Sequence, residues 1–163
     1  MSTQQSEWFW AESERVMAGK YPGAWNNEAA ARAKLEAILG KGVSLFVDLT
    51  EVGELDPYAH LLDGRAGHIR HPIRDMSTTG TREMSGILDE IDGELGRGGI
   101  PYVHCWGGCG RTGTVIGAWW VRHGMTGDAA VDQYQRLSRE IQWQECPQTE
   151  AQRAVIRGWQ PGA

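Results

Sequence analysis

The chain has 163 residues, 40% of them hydrophobic and 23% charged, which is ordinary for a globular protein, and we expect one domain over residues 1–163. The net charge of −5 and the absence of a Lys/Arg block argue against nucleic acid or an anionic membrane as the main partner. Residues 1–7 do not resemble a signal peptide and no apolar run is long enough to span a membrane, so a cytoplasmic location is expected.

Hydrophobic periodicity predicts strands and helices that alternate along the chain. In the first half we expect a short strand at 15–20, a helix at 27–39, a strong strand at 43–49 and a loop at 50–66. A weaker strand at 68–73, an amphipathic helix at 81–95 and a buried strand at 100–104 follow. Further helices are expected at 112–123, from 126 or 128 onward, and at 148–158. This order predicts an α/β fold in which helices flank a central, mostly parallel, twisted sheet.

Residues 104–112 join the last predicted strand to the following helix and read His-Cys-Trp-Gly-Gly-Cys-Gly-Arg-Thr. Cys105 and Arg111 are separated by a segment with three glycines: Gly107, Gly108 and Gly110. Glycines let a loop curl with its N–H groups inward, and a helix N-terminus adds further N–H groups and a positive dipole end. The Arg111 guanidinium can bind two phosphate oxygens at once. The pattern therefore predicts an oxyanion site with Cys105 beside it as a thiolate nucleophile.

Other kinds of site fit this loop less well. A nucleotide-binding loop would need the pattern GxxxxGK[ST], and a zinc half-site would normally have C-x2-C spacing, whereas Cys105 and Cys109 are spaced C-x3-C. We therefore expect no metal and no cofactor. The remaining alternative is a glycine-rich turn around a buried cysteine.

The pattern His104-Cys105-x-x-Gly108-x-x-Arg111-Thr112 resembles the signature of the cysteine-dependent protein tyrosine phosphatase superfamily, in particular its small dual-specificity branch. Weaker similarity extends from about residue 16 to 159. The resemblance implies a phosphate-binding loop (P-loop) between a central strand and a helix, with Cys105 as the phosphocysteine nucleophile and Arg111 as the phosphoryl ligand. Thr112 would donate a hydrogen bond to the thiolate and His104 would support the loop. The rest of the loop would bind the phosphate: Trp106, Gly107, Gly108, Cys109 and Gly110. Rhodaneses and arsenate reductases also have a cysteine before an anion-binding loop, but they generally lack this frame.

Asp75 is the candidate general acid, because the departing alkoxide or phenoxide needs a proton. It lies thirty residues before Cys105 in a Ser/Thr/Gly-rich segment that could move over the site. Dual-specificity phosphatases carry their acid in a similar hydrophobic-x-Asp loop, which Ile73-Arg74-Asp75 matches, although it departs from the Trp-Pro-Asp of the larger tyrosine-specific enzymes. The alternative is that Asp75 caps a turn or pairs with Arg74. Asp48 is expected to hydrogen-bond a nearby turn.

The segment Pro147-Gln-Thr-Glu-Ala-Gln152 resembles the Gln-Thr-x-x-Gln loop of tyrosine phosphatases. The resemblance implies that Gln148 orients the water that hydrolyses the phosphocysteine. Gln152, one helical turn further on, would support it at the substrate site. The alternative is two solvated glutamines on a surface helix.

The loop interior contains no lysine or histidine, which favours a substrate with one phosphate, such as phosphotyrosine in a protein. A shallow cleft would also admit phosphoserine and phosphothreonine. Inorganic phosphate and vanadate-type oxyanions are expected to bind the same loop. Two alternatives remain: an inositol phosphate or small phosphoester phosphatase, and a phosphoresidue-binding module with little turnover.

The three cysteines, one of them needed as a thiolate, indicate a reducing compartment rather than a disulfide framework. Cys109 could form a reversible disulfide with oxidised Cys105, or it could simply fill a tight loop. The sequence assigns no role to Cys146. The eight tryptophans are expected to be mostly core or interface residues, and Trp8-Phe9-Trp10 either packs onto the domain or marks a contact surface.

Overall fold

A five-stranded sheet forms the centre of the computed structural model, which describes residues 5–163. Its strands are β1 (Trp8–Glu12), β2 (Val16–Gly19), β3 (Leu45–Asp48), β4 (Gly67–Arg70) and β5 (Pro101–His104). They lie in the order β1-β2-β5-β3-β4. All neighbours are parallel except β1, which pairs antiparallel with β2 at the edge. The predicted mostly parallel α/β sheet is confirmed.

Five α-helices surround the sheet: α1 (Glu28–Leu39), α2 (Thr81–Gly96), α3 (Gly110–Arg122), α4 (Gly127–Leu137) and α5 (Glu150–Gly158). Short 3-10 helices cover Ala59–Leu62, inside the predicted loop, and Ser138–Glu140. Alternate side chains of each strand point to opposite faces. On β3, Phe46 joins the core shared with α1, and Val47 joins the core shared with α2 to α5.

β1 is the one strand that the sequence did not predict. Phe9 is buried within it, while Trp8 and Trp10 are half-buried on the opposite face and pack against the core shared with α1. Of the two alternatives for Trp8-Phe9-Trp10, packing onto the domain is therefore the one observed. The alternation covers too few residues to be distinguished from a random aromatic run.

Helix α3 is buried along almost its whole length, which places its N-terminus inside the molecule at the carboxyl end of β5. Close packing depends on small residues: a Cβ at Gly113 would lie 2.8 Å from the Tyr134 ring, and one at Gly117 would overlap Ile156. The helix begins at Gly110, two residues before the predicted start. The residues between β5 and α3 are thus held between the central strand and a buried helix.

Candidate active site

The phosphate-binding loop, residues 105–111, curls around a cavity of about 200 Å³ at the carboxyl edge of the sheet. Gly108 has φ = +70°, and a Cβ there would lie 2.7 Å from the carbonyl carbon and oxygen of Gly19. Only glycine suits this combination of left-handed backbone and close approach. The loop, Asp75 and two glutamines line the cavity: Asp75, Cys105, Trp106, Gly107, Cys109, Gly110, Arg111, Gln144 and Gln148.

Cys105 lies on the floor of the cavity and is only 3% exposed. The Thr112 hydroxyl donates a hydrogen bond to its Sγ over 3.0 Å. Behind the loop, the buried His104 ring contacts the Cys105 carbonyl oxygen through Nδ1 at 3.0 Å and the Tyr58 hydroxyl through Nε2 at 2.5 Å. Burial lowers the pKa of His104, so the ring is neutral, with Nδ1–H as donor and Tyr58 O–H donating to Nε2. These are the contacts that the predicted roles of Thr112 and His104 require.

A second buried group, Asp48 at the end of β3, supports the same corner. It accepts hydrogen bonds from the Thr50 N–H (2.9 Å) and hydroxyl (2.6 Å), as the sequence predicted for a nearby turn, and from His68 Nε2 at 2.9 Å. Arg70 Nη2 lies 3.5 Å away. Burial pushes the pKa of Asp48 upward, but the hydrogen bonds from His68 and Thr50 hold that pKa well below its ordinary value. A carboxylate therefore lies fixed behind the loop.

Arg111 is 1% exposed and is held by a carboxylate that sequence reasoning missed. Its Nη1 and Nη2 donate to Glu54 Oε1 and Oε2 over 2.8 and 2.7 Å, a bidentate pair, and Nη1 also donates to the Ile73 carbonyl over 2.9 Å. The hydrogen bonds from Arg111 hold the pKa of Glu54 below its usual range. The Arg111 Nε is buried and has no hydrogen-bond partner within residues 5–163. A phosphoryl oxygen would provide that partner.

Asp75 reaches the cavity from the segment after β4. Its Oδ1 lies 3.3 Å from Arg111 Nη2, and its side chain is 54% exposed. The same oxygen accepts a hydrogen bond from the Met76 N–H over 2.9 Å, and Met76 has φ = +64°. In the described chain its ion pair is therefore with Arg111 and not with Arg74, the partner considered as an alternative. An exposed carboxyl beside the nucleophile is the arrangement that a general acid requires.

The two predicted glutamines both approach Gly110, but of the two only Gln148 lines the cavity. Gln148 lines the cavity, and its Oε1 would be 2.6 Å from a Cβ at Gly110. Gln152 is fully buried: it forms a capping box with Thr149 at the start of α5, and its Nε2 donates to the Ser77 carbonyl over 3.3 Å. The resemblance implied that Gln152 lies at the substrate site, but its buried side chain does not line the cavity, and it is not a solvated glutamine either. It connects α5 to the segment that carries Asp75.

Cys109 and Cys146 form a disulfide, with their Cα atoms 4.9 Å apart, and Cys105 is the free cysteine. The expectation of three reduced thiols is therefore wrong, and Cys109 pairs with Cys146 instead of with Cys105, the partner considered as one of two alternatives. The two half-cystines are 37 positions apart in sequence and meet only because the segment before α5 folds back onto the loop.

The part of the chain that the structure describes contains no group of three or more His, Cys, Asp or Glu side chains that could hold a metal ion. Within the same residues, no helix is both long and apolar enough to cross a membrane.

Comparison with known proteins agrees with this geometry. A family model described as "Polymorphic toxin system, DSP-PTPase phosphatase" matches residues 22–125. Protein 067L of Invertebrate iridescent virus 3, named as a candidate tyrosine phosphatase, is 33% identical over 111 residues, which are 64% of this chain and 41% of the viral protein. The chain thus spans about two fifths of the length of this curated relative.

Two solved structures show the same fold. The active form of Tk-PTP has a TM-score of 0.77 and 22% identity, over 93% of this chain and 94% of that chain. PTPMT1 in complex with PI(5)P has a TM-score of 0.73 and 14% identity, over 94% of both chains. The sheet and the helices around it are therefore common to these proteins.

Proposed function

The chain belongs to the family of DSP-PTPase phosphatases of polymorphic toxin systems, and from that premise we propose that it hydrolyses phosphomonoesters through a phosphocysteine intermediate. One observation carries the proposal: the Cys105 thiol, the Arg111 guanidinium and the Asp75 carboxyl meet in one cavity at a helix N-terminus. They are the nucleophile, the anion ligand and the acid that such a reaction needs.

In the first step, the Cys105 thiolate attacks phosphorus, the ester P–O bond breaks, and Asp75 gives its proton to the departing oxygen. The loop N–H groups and Arg111 stabilise the negative charge on the equatorial oxygens. In the second step, water attacks the phosphocysteine and gives a proton to the Asp75 carboxylate. The S–P bond breaks, and the thiolate and inorganic phosphate result. Gln148 lines the cavity, which supports the proposal that its amide orients that water.

We propose a phosphorylated protein as substrate, with phosphotyrosine as the preferred residue. Arg111 is the one cationic side chain among the described residues that line the cavity, which suits a single phosphate. Trp106 lines the cavity and is half exposed, so that its ring can contact the ring of a phosphotyrosine. The name of the viral relative supports this choice. PTPMT1 was solved with PI(5)P, and an inositol phosphate substrate is the second candidate.

The absence of nucleic-acid and membrane partners stays a prediction, as does the cytoplasmic location. The cysteines no longer support that location, because disulfides persist mainly in oxidising compartments.

Hydrolysis of p-nitrophenyl phosphate in the presence of EDTA tests the proposal, with Cys105→Ser and Asp75→Asn as variants. We expect metal-independent turnover that Cys105→Ser abolishes and Asp75→Asn greatly reduces. Phosphotyrosine, phosphoserine and phosphothreonine peptides and inositol phosphates then rank the substrates. A folded wild-type protein that binds vanadate but turns nothing over would make the chain a phosphate-binding module.

A further inference from the structure

The large apolar side chains that are exposed are unevenly distributed over the described chain. The five with the greatest exposure form the apolar rim: Trp25, Val52, Met76, Trp106 and Trp143. Trp106 lines the cavity, and Trp25 shares a second cleft with Trp106. The other three are close in sequence to residues of the site: Val52 to Glu54, Met76 to Asp75 and Trp143 to Gln144. A monomeric protein rarely exposes such side chains together without a use for them.

Trp106 connects the cavity to a second cleft of about 330 Å³, whose lining includes Trp25, Lys20 and Lys34. The loop that carries Trp25 is held in place by specific bonds. The Tyr21 N–H donates to the Trp106 carbonyl over 2.9 Å, and Lys34 Nζ donates to the Gly23 carbonyl over 3.0 Å. The backbone leading to Trp25 is therefore joined to the phosphate-binding loop at Trp106.

Two further members of the apolar rim are direct sequence neighbours of residues that line the cavity. Met76 directly follows Asp75, and Trp143 directly precedes Gln144, which lines the cavity. Trp143 is 91% exposed, although its neighbour Gln142 is bound to the Gly107 carbonyl over 2.6 Å. A large ring held out into water beside an anchored neighbour suits contact with another molecule.

We propose that the apolar rim binds the polypeptide of the substrate, by contacting apolar side chains on both sides of the phosphorylated tyrosine. This inference rests on the proposed phosphatase function, because the substrate is the molecule whose phosphate enters the same cavity. Trp106 lines both that cavity and the cleft that Trp25 lines, so this part of the apolar rim adjoins the cavity. A small phosphate ester would not touch Trp25 or Trp143. These side chains would therefore affect which phosphopeptide is preferred and not the hydrolysis of small esters.

The test compares kcat/KM for two phosphotyrosine peptides and for p-nitrophenyl phosphate. One peptide carries leucine and phenylalanine beside the phosphotyrosine, and the other carries serine there. We expect the wild type to prefer the apolar peptide at least about tenfold. Trp25→Ser and Trp143→Ser should each reduce that preference by roughly threefold to tenfold without changing p-nitrophenyl phosphate hydrolysis. Trp25→Phe and Trp143→Phe, which keep a ring, should restore most of it.

Equal kcat/KM for the two peptides would overturn the proposal. So would a parallel loss on all three substrates, which would mean that the tryptophans serve stability. Sedimentation with phosphatidylserine vesicles that depends on Trp25 and Trp143, without peptide preference, would assign the apolar rim to a membrane instead. If the wild type hydrolyses no p-nitrophenyl phosphate, the phosphatase proposal fails, and calorimetry of peptide binding to Cys105→Ser still tests the apolar rim.

A different observation carries a second inference. The segment between the Ser138–Glu140 turn and α5 has no regular structure, yet it brings Gln148 to the cavity. It is joined to the phosphate-binding loop at two points: the hydrogen bond from Gln142 to Gly107, and the disulfide from Cys146 to Cys109. The disulfide is the nearer of the two to Gln148, because Cys146 precedes Gln148 by two residues.

We infer that the Cys109–Cys146 disulfide is a positioning element for the second step of the proposed reaction. It holds Gln148 against Gly110, where its amide meets the water that attacks the phosphocysteine. A dithiol that reduces the bond supplies two electrons and two protons, is itself oxidised to a disulfide, and frees the segment from Cys109. Phosphocysteine formation, which uses Cys105, Arg111 and Asp75, does not need this contact.

Pre-steady-state kinetics with p-nitrophenyl phosphate separate the two steps. In Cys146→Ser we expect a burst of p-nitrophenolate at the wild-type rate, followed by steady-state turnover slowed by roughly tenfold to a hundredfold. Gln148→Ala should give the same profile, and the double variant should be no slower than either single one. Reduction of the wild type with dithiothreitol should reproduce the profile and leave Cys146→Ser unchanged.

Equal slowing of the burst and of the steady state would mean that the disulfide only stabilises the fold, and additive losses in the double variant would mean that it acts separately from Gln148. Either result overturns this inference. A wild type with no turnover would instead overturn the phosphatase proposal.

Discussion

On the floor of the cavity, Cys105, Arg111 and Thr112 are each at most 3% exposed, whereas at its mouth the Asp75 side chain and Trp106 are each 54% exposed. The floor residues bond to one another and to adjoining segments: Thr112 to Cys105, and Arg111 to Glu54 and to the Ile73 carbonyl. Asp75, in contrast, accepts a hydrogen bond from the neighbouring Met76 N–H, and its Oδ1 lies 3.3 Å from Arg111 Nη2.

This difference matches what the two regions must do. The groups that stabilise a transferring phosphoryl charge must already be oriented before reaction, since reorientation would add to the barrier. The mouth must admit substrate, deliver a proton and release product, so its side chains must be accessible. Substitutions in the two regions should therefore differ in their effects.

Gly108→Ala would disrupt the floor directly. Its left-handed backbone costs any other residue about 1–3 kcal/mol, and the added Cβ overlaps the Gly19 backbone. Since the loop supplies several N–H donors, we expect turnover to fall at least about a thousandfold. Vanadate affinity measures the loss of anion binding, and urea unfolding measures the loss of stability. Near-normal vanadate binding would show that the loop tolerates the change.

Asp75→Asn would alter the mouth, and the contact that the floor would lose is the ion pair between Asp75 and Arg111. It removes the acid but keeps the shape, so kcat should fall by about a hundredfold to ten-thousandfold with little change in stability. The loss should be smaller for a substrate whose leaving group needs no proton, such as one with a strongly acidic phenol. Comparison of p-nitrophenyl and unsubstituted phenyl phosphate measures this, and an equal loss on both would exclude Asp75 as the acid.

Glu54→Gln would remove the bidentate carboxylate from Arg111 and leave the exposed Asp75 as its remaining ion pair. We expect the free energy of unfolding to fall by about 1–3 kcal/mol and KM to rise, because the two guanidinium nitrogens no longer donate to two carboxylate oxygens. Since the pKa of Glu54 is lowered in the fold, its stabilisation is present above the ordinary glutamate pKa and is lost as the pH falls through the folded value. Urea unfolding against pH should therefore show wild type and variant converging in acid, and a constant difference would contradict this.

His104→Gln would have the smallest effect, seen mainly as a pH dependence. Burial lowers the pKa of His104, so the unfolded chain binds a proton that the folded chain does not, and stability falls as the pH drops below the ordinary histidine pKa. Between about pH 7.5 and about pH 5.5 the wild type should lose up to roughly 1.4 kcal/mol per pH unit more than the variant. Parallel pH profiles in urea unfolding would contradict a neutral, buried ring.

Much of the site could be predicted because its central chemistry lies in one short segment. The residue types and the spacing between Cys105 and Arg111 were enough to predict an oxyanion site in this loop. Asp75 and Gln148, suggested by resemblance, both line the cavity. Glu54 was missed because it lies in a loop whose turn residues dominate the pattern, and it carries no local signal of its partner.

Local patterns were enough to predict the alternation of strands and helices and the glycine-rich loop that begins at Cys105, because periodicity and backbone freedom act over a few neighbouring residues. The tertiary structure alone decided the partners of that loop. Arg111 meets Glu54 across 57 positions and Cys109 meets Cys146 across 37. Such pairs depend on which ends of strands and loops meet at one edge of the sheet, and many pairings are compatible with the same local pattern until the core is packed.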